Sequence, residues 1–178
     1  MTAATADTGT GPSLPIGETD PAVVAAFQAT ALHRDLGATI ETRENGVLLR
    51  ARVGDRFARG DGLSVMHGGG IATLLDSATV WAAVTVTQRL WATADLRVDY
   101  LRPVRLGEVE VVANLLQVGS TIARSCAELR DSTGRVAATA VATLVADKAK
   151  ISPPSDASAA PNSQHPDTTA RPVETAAE

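Results

Sequence analysis

The sequence predicts an α+β fold: one long helix packed on an antiparallel sheet. Three observations carry that reading. From residue 70, Ile71, Leu74, Leu75, Ala78 and Ala82 recur at the i, i+3, i+4, i+7 spacing of a buried helical stripe. After residue 90 the chain is extended in character, broken only by short turns at Pro103 to Gly107, Gly119-Ser120 and Asp131 to Gly134. Strands and helices do not alternate as a doubly wound α/β protein requires.

The ends are set apart by composition. Residues 1–19 and 149–178 are rich in Ala, Thr, Ser, Pro, Asp and Glu and poor in large apolar side chains. Such segments bury too little surface to offset chain entropy, so both are expected to be disordered, flanking a single domain over 20–148. Within it, Asp20 is a plausible N-cap with Pro21 at the first helical position. Val23, Val24, Phe27 and Leu32 then mark one short amphipathic helix that Gly37 can end. TIETRENGVLLRARV reads as two strands meeting at Asn45-Gly46, the strongest short hairpin signal. Then come the long helix and four strands expected to form a meander. In the third of these, Ala123, Ser125, Ala127 and Leu129 lie on one face, with Ile122, Arg124, Glu128 and Arg130 on the other.

Composition excludes several functions. The formal charge is −4 over 178 residues. Between Asp20 and Lys148 fourteen acidic residues balance fourteen basic ones, so the excess acid lies in the flanks. Without a basic patch, nucleic-acid binding is not expected. No apolar run approaches the roughly 18 residues of a membrane span, and charged residues interrupt every candidate, so no membrane association is expected. The N-terminus shows neither the basic nor the apolar region of a signal peptide. With Cys126 as the single cysteine, a cytoplasmic location is expected. Histidines 33, 67 and 165 lack metal-ligand spacing, so no metal is expected. The glycine run does not match a dinucleotide or Walker fingerprint, and Ser64 and Ser77 lack a G-x-S-x-G frame.

The informative segment is VMHGGGIATLLDSATVWAA, residues 65–83. At about 100° per residue, Asp76 points roughly 140° from the centre of the apolar stripe. It sits among small residues, Gly69, Ala72, Thr73, Thr79 and Ala83, that let another backbone or a ligand approach. Partial desolvation there would make its carboxylate a better base. Taken alone, Asp76 could be a hydrogen-bonded aspartate at a subunit contact, the glycines a tight turn with positive φ, and His67 structural. The functional alternative is that glycines at a helix start expose unpaired N–H groups at its positive end, which can hold an oxyanion.

HGGGIATLLDSA resembles the His-Gly-Gly…Asp signature of hotdog-fold acyl-CoA thioesterases of the PaaI-like branch. The resemblance continues through TADLRVDYLRPVRLGE and VGSTIARSCAELRDSTGRVAATA and covers about residues 20–147. It implies a sheet wrapped round the long helix and hydrolysis of a small or aromatic acyl-CoA. Asp76 would be the catalytic carboxylate, as general base or nucleophile, and the Gly68 amide would polarise the thioester carbonyl. Thr93 would position water, while His67, Gly69 and the residue six before His67 would contact substrate. That last position, Asn or Gln in many members, is Asp61 here. The resemblance implies no cofactor beyond the coenzyme A of the substrate. It also implies a homodimer or homotetramer, with Asp76 facing Gly68 of a neighbour. Arg97, Arg102, Arg105 and Arg124 could reach CoA phosphates or be ordinary solvated strand residues. A non-catalytic acyl-CoA-binding hotdog protein is the alternative; a hotdog dehydratase fits less well, lacking its His and Asp/Glu signature.

Overall fold

The structure, a computed structural model, describes residues 19–60 and 62–147. The disorder expected for the two ends falls, apart from Thr19, outside the described residues. The order of elements is α1 (Pro21–Ala29), α2 (Ala31–Asp35), β1 (Ala38–Arg43), β2 (Gly46–Val53), α3 (Gly68–Thr87), β3 (Trp91–Tyr100), β4 (Gly107–Val118), β5 (Ile122–Arg130) and β6 (Val136–Ala146). A 3₁₀ turn at Asp55–Phe57 precedes α3. The six strands form one antiparallel sheet, ordered β1-β2-β4-β5-β6-β3, and α3 packs against five of them.

The first helix starts as expected: the Asp20 carboxylate accepts from the Ala22 amide at 2.8 Å, with Pro21 following. It is not one helix, however. Thr30 adopts an extended conformation (φ −76°, ψ 119°) and parts α1 from α2. The carbonyls left open by the break are taken by side chains. His33 Nδ1 meets the Phe27 carbonyl at 2.7 Å, and the Arg34 guanidinium reaches those of Gln28 and Ala29. The break also changes which side chain goes inward. Leu32 is left 43% exposed, whereas His33 is buried, stacked on Phe27 with ring centroids 3.9 Å apart. Because a carbonyl can only accept, His33 Nδ1 carries the proton and Nε2 accepts from the Ser77 hydroxyl of α3 at 3.2 Å. Gly37 at φ +57° ends this segment, as expected.

The β1–β2 hairpin forms, one residue from where its signal sat. The loop is Glu44-Asn45, Arg43 pairs with Gly46, and neither loop residue has positive φ. Gly46 is required by close approach instead. A Cβ there would lie 1.9 Å from the Ala113 carbonyl oxygen of β4. Asn45 is held from the same side, its Nδ2 donating to the Leu115 carbonyl at 2.8 Å.

The expected four-strand meander holds only for β4, β5 and β6. Strand β3 pairs with β6 at the far edge, and β4 pairs with β2. Helix α3 lies between β2 and β3 in sequence, and because β3 goes to the edge opposite β1 and β2, the sheet covers the helix from both sides. The stripe Ile71, Leu74, Leu75, Ala78 and Ala82 is 4% exposed or less, and Trp81 meets Phe27 edge-on at 5.4 Å. One expectation fails outright. At 20 residues, with Asp76 its single charged side chain, α3 is long and apolar enough to cross a membrane. Half of that span is buried within the fold, as in the core helix of a folded domain.

On β5 the inner face is Ala123, Ser125, Ala127 and Leu129, all 2% exposed or less, with Ile122 52% exposed on the outer face, as expected. The Ser125 hydroxyl is buried without a hydrogen-bond partner among the described residues. Its desolvation opposes folding, so Ser125→Ala should raise stability by about 1 kcal/mol, measured as the urea midpoint; a lower midpoint would show a partner for the hydroxyl.

Burial lowers the pKa of His33 below 6.5, only partly offset by its bond to the Phe27 carbonyl. The unfolded chain therefore binds the proton more readily, and stability present above about pH 6.5 is lost as pH falls toward the folded value. Urea midpoints between pH 7 and pH 5 should fall less steeply in His33→Gln than in wild type, though the variant is the weaker fold at pH 7. Equal slopes would remove His33 from this account.

Candidate active site

The site is built on α3, and its chemistry begins at the helix start. His67 is the N-cap, in extended conformation (φ −64°, ψ 139°), and its Nδ1 accepts from the Gly69 amide at 2.9 Å. The Gly70 and Ile71 amides turn back to the His67 carbonyl at 2.9 and 3.3 Å. Of the four amides that open the helix, the Gly68 N–H alone has no partner among the described residues. It lies at the positive end of the helix dipole, half-buried, where a carbonyl oxygen would be polarised.

None of Gly68, Gly69 and Gly70 has positive φ, so a tight turn does not explain them. Gly69 and Gly70 are crowded, whereas a Cβ at Gly68 would meet its neighbour at ordinary contact distance. A Cβ at Gly69 would press on the His67 ring at 3.0 Å, and one at Gly70 would lie 2.9 Å from Met66 Cε. At Gly68 the neighbour is the Tyr100 ring, 3.5 Å away.

Asp76 lies two turns further along, half-buried on the stripe of α3 that the sheet leaves open. That stripe runs through Gly69, Ala72, Thr73, Asp76 and Val80. The small face expected round Asp76 is therefore only half open, because Thr79 and Ala83 are fully buried under the sheet. The Thr93 hydroxyl donates to Asp76 Oδ1 at 2.7 Å. Oδ2 has no partner among the described residues, which leaves it free for a water or a substrate.

A β-bulge makes that bond possible. The β3–β6 register jumps between Thr93 (opposite Leu144) and Asp95 (opposite Thr143), leaving Ala94 as the extra residue. Before the bulge odd-numbered residues face α3, and Trp91 is buried and Thr93 reaches Asp76. After it the even-numbered Leu96 and Val98 pack on the core, and the Tyr100 hydroxyl donates to the Gly68 carbonyl at 3.1 Å. One strand, running antiparallel to the helix, touches it beside both the free amide and the carboxylate. Period-two reading of β3 cannot find Tyr100, since parity changes at Ala94 without any sequence mark.

The expected residues do not all meet in one chain. Thr93 joins Asp76, and His67 and Gly69 join Gly68, but eight residues of helix hold the two groups roughly 12 Å apart along the axis. Asp61 lies outside the described residues. Among the described residues no group of three or more His, Cys, Asp or Glu could hold a metal. Arg97 pairs with Asp99 at 3.1 Å, and Arg102 donates to the Val136 carbonyl, so both are engaged within the sheet. Trp91 is core, its Nε1 bonded to Thr87 Oγ1 at 2.8 Å.

Known proteins share this fold. Residues 63–138 match the family described as the Thioesterase superfamily. A thioesterase family protein from Silicibacter pomeroyi superimposes with a TM-score of 0.64 at 27% identity, over 70% of this chain and 95% of that one. The PaaI protein of the Escherichia coli phenylacetic acid degradation operon shares the fold, at TM-score 0.65 and 19% identity over 71% of this chain and 91% of its own. The medium/long-chain acyl-CoA thioesterase YigI of Escherichia coli is 38% identical over 97 residues, or 46% of this chain and 63% of that protein. The chain spans about half the length of a further relative from Caenorhabditis elegans, 43% identical over 82 residues and covered to 48%, with 44% of this chain aligned. Residues 63–138 thus resemble the thioesterase superfamily, and the chain adopts the hotdog fold of those neighbours.

Proposed function

We propose that the protein hydrolyses acyl-CoA thioesters to free acid and coenzyme A, at sites shared between two copies of the chain. The observation that carries this is the pairing on α3 of an unpartnered Gly68 amide with an open carboxylate, Asp76, held by Thr93. The amide would take the thioester oxygen, drawing charge from the carbonyl carbon. Asp76 Oδ2 would accept a proton from water as the new C–O bond forms and the C–S bond breaks, the thiolate leaving to be protonated. Direct attack by Asp76, giving a mixed anhydride that water then cleaves, uses the same atoms. Thr93, while donating to Oδ1, keeps lone pairs that can accept from the attacking water.

A carbonyl cannot lie about 3 Å from both groups when they are 12 Å apart on one helix. A second copy brings its own Gly68 to the first copy's Asp76. Strand β3 supports such pairing: it is an edge ten residues long, with Ala92, Thr93, Ala94 and Asp95 exposed, and a long unpaired edge invites another chain. We place this activity in the cytoplasm, where the single cysteine would stay reduced, with coenzyme A arriving only as part of the substrate. A small or aromatic acyl group stands beside the medium- and long-chain ones in the name of the Escherichia coli relative, so the substrate panel should span all of these.

Asp76→Asn should lower thiol release from the best acyl-CoA by about 10²–10⁴-fold, with Tm little changed. An undiminished rate would remove Asp76 from the chemistry, and a panel without any turnover by wild type would remove the activity.

Gly68→Pro tests the amide itself, because proline is tolerated at the first helical position and His67 is already extended. It should fold and be inactive. Co-expressed with Asp76→Asn, it should recover about a quarter of wild-type sites, one per mixed dimer. Recovery no greater than the sum of the two variants alone would place the whole site within one chain.

A further inference from the structure

Beyond Asp76, Gly68 and Thr93, we propose that Tyr100 is a positioning residue that holds the carbonyl-binding amide in its working direction. This rests on the reading of Gly68 given above. The start of α3 is three consecutive glycines, each a poorer helix former than alanine and without a side chain to anchor it. Such a turn frays unless it is held. The His67 ring and carbonyl secure the Gly69, Gly70 and Ile71 amides, but both come from the same short segment and move with it. The segment before the helix is tied down by the Met66 and His67 amides, which donate to the Val104 and Phe57 carbonyls at 2.8 and 2.7 Å, but on Gly68 itself the hydrogen bond from elsewhere in the fold, among the described residues, is that of Tyr100. Its hydroxyl donates to the Gly68 carbonyl at 3.1 Å, and its ring lies 3.5 Å from where a Gly68 side chain would begin.

Packing alone does not account for this tyrosine, which is 54% exposed and outside both apolar clusters of the fold. What it does have is one hydrogen bond to the carbonyl of the residue whose N–H is free. Residue 100 is also the last of β3, paired to Ala138 of β6, so the hydroxyl is referenced to the sheet. The same strand holds Asp76 through Thr93. Strand β3 thus orients the carboxylate at one end and the amide at the other, for two sites that a second copy completes.

Tyr100→Phe keeps the ring and removes only the hydroxyl. With wild type and Asp76→Asn assayed beside it, kcat should fall roughly fivefold, the worth of one hydrogen bond, while KM stays within about twofold and Tm within about 1 °C. In a ¹⁵N-glycine-labelled sample, the Gly69 amide, which shares a peptide plane with the Gly68 carbonyl, should shift, and Gly68 should exchange its proton faster. Unchanged kcat overturns the proposal, as does a loss that follows Tm or KM. If wild type and Asp76→Asn are equally idle on every acyl-CoA, the reading of the reaction has failed. The glycine spectrum then decides the role of Tyr100, and unshifted resonances overturn it.

Discussion

The constraint on which this structure turns is that α3 must be buried and yet keep one side open. A 20-residue helix with a single charge is too apolar to lie on a surface, so the sheet bends round it and covers Ile71, Leu74, Leu75, Ala78 and Ala82. Complete burial would close the stripe carrying Asp76. The sheet order resolves the conflict by sending β3 to one edge and β1 with β2 to the other, with Gly69, Ala72, Thr73 and Asp76 left between. The α1–α2 break serves the same end. It drives His33 into the core, where its ring stacks on Phe27 and bonds Ser77, the residue next to Asp76 in the chain.

Strand β3 has the most demanding position, since it must complete the wrapping and also serve the open stripe. A strand of constant parity would aim one set of alternating side chains at α3 along its whole length. The bulge at Ala94 divides it, so that Thr93 and Tyr100, of opposite parity, both reach the helix. Bulges cost a ladder bond and leave a residue unpaired, a cost commonly met beside functional sites. The strand's other edge stays unpaired among the described residues.

Much of this was legible in the residues. Helical spacing located α3 and its buried stripe, though Thr79 and Ala83, expected on the open face, are buried as well, and alternation assigned both faces of β5, because side-chain direction follows chain period when the backbone is regular. The capping of α1 by Asp20 and the helix start at the glycines were legible for the same reason: a cap acts within three residues. Errors arose where backbone choice depended on distant partners. Thr30 carries no mark of a helix break, which the burial of His33 against Ser77 decides. The hairpin signal at Asn45-Gly46 was right about the turn but not about the glycine, whose small size serves Ala113 of β4. Among the candidate site residues, Asp76, Gly68 and Thr93 were proposed by resemblance, whereas Tyr100 was hidden by the bulge.

The sequence by itself determined the elements, the buried stripe, the balance of charge and the presence of a carboxylate eight residues after a glycine helix start. These are local properties, set by periodicity and capping within a few residues. The tertiary structure alone decided that β3 leaves the meander for the far edge, that its bulge at Ala94 lets Thr93 and Tyr100 both reach α3, and that His33 turns inward to Ser77 and breaks the first helix. Each of these depends on contacts between residues far apart in the chain, whose energies no local pattern contains.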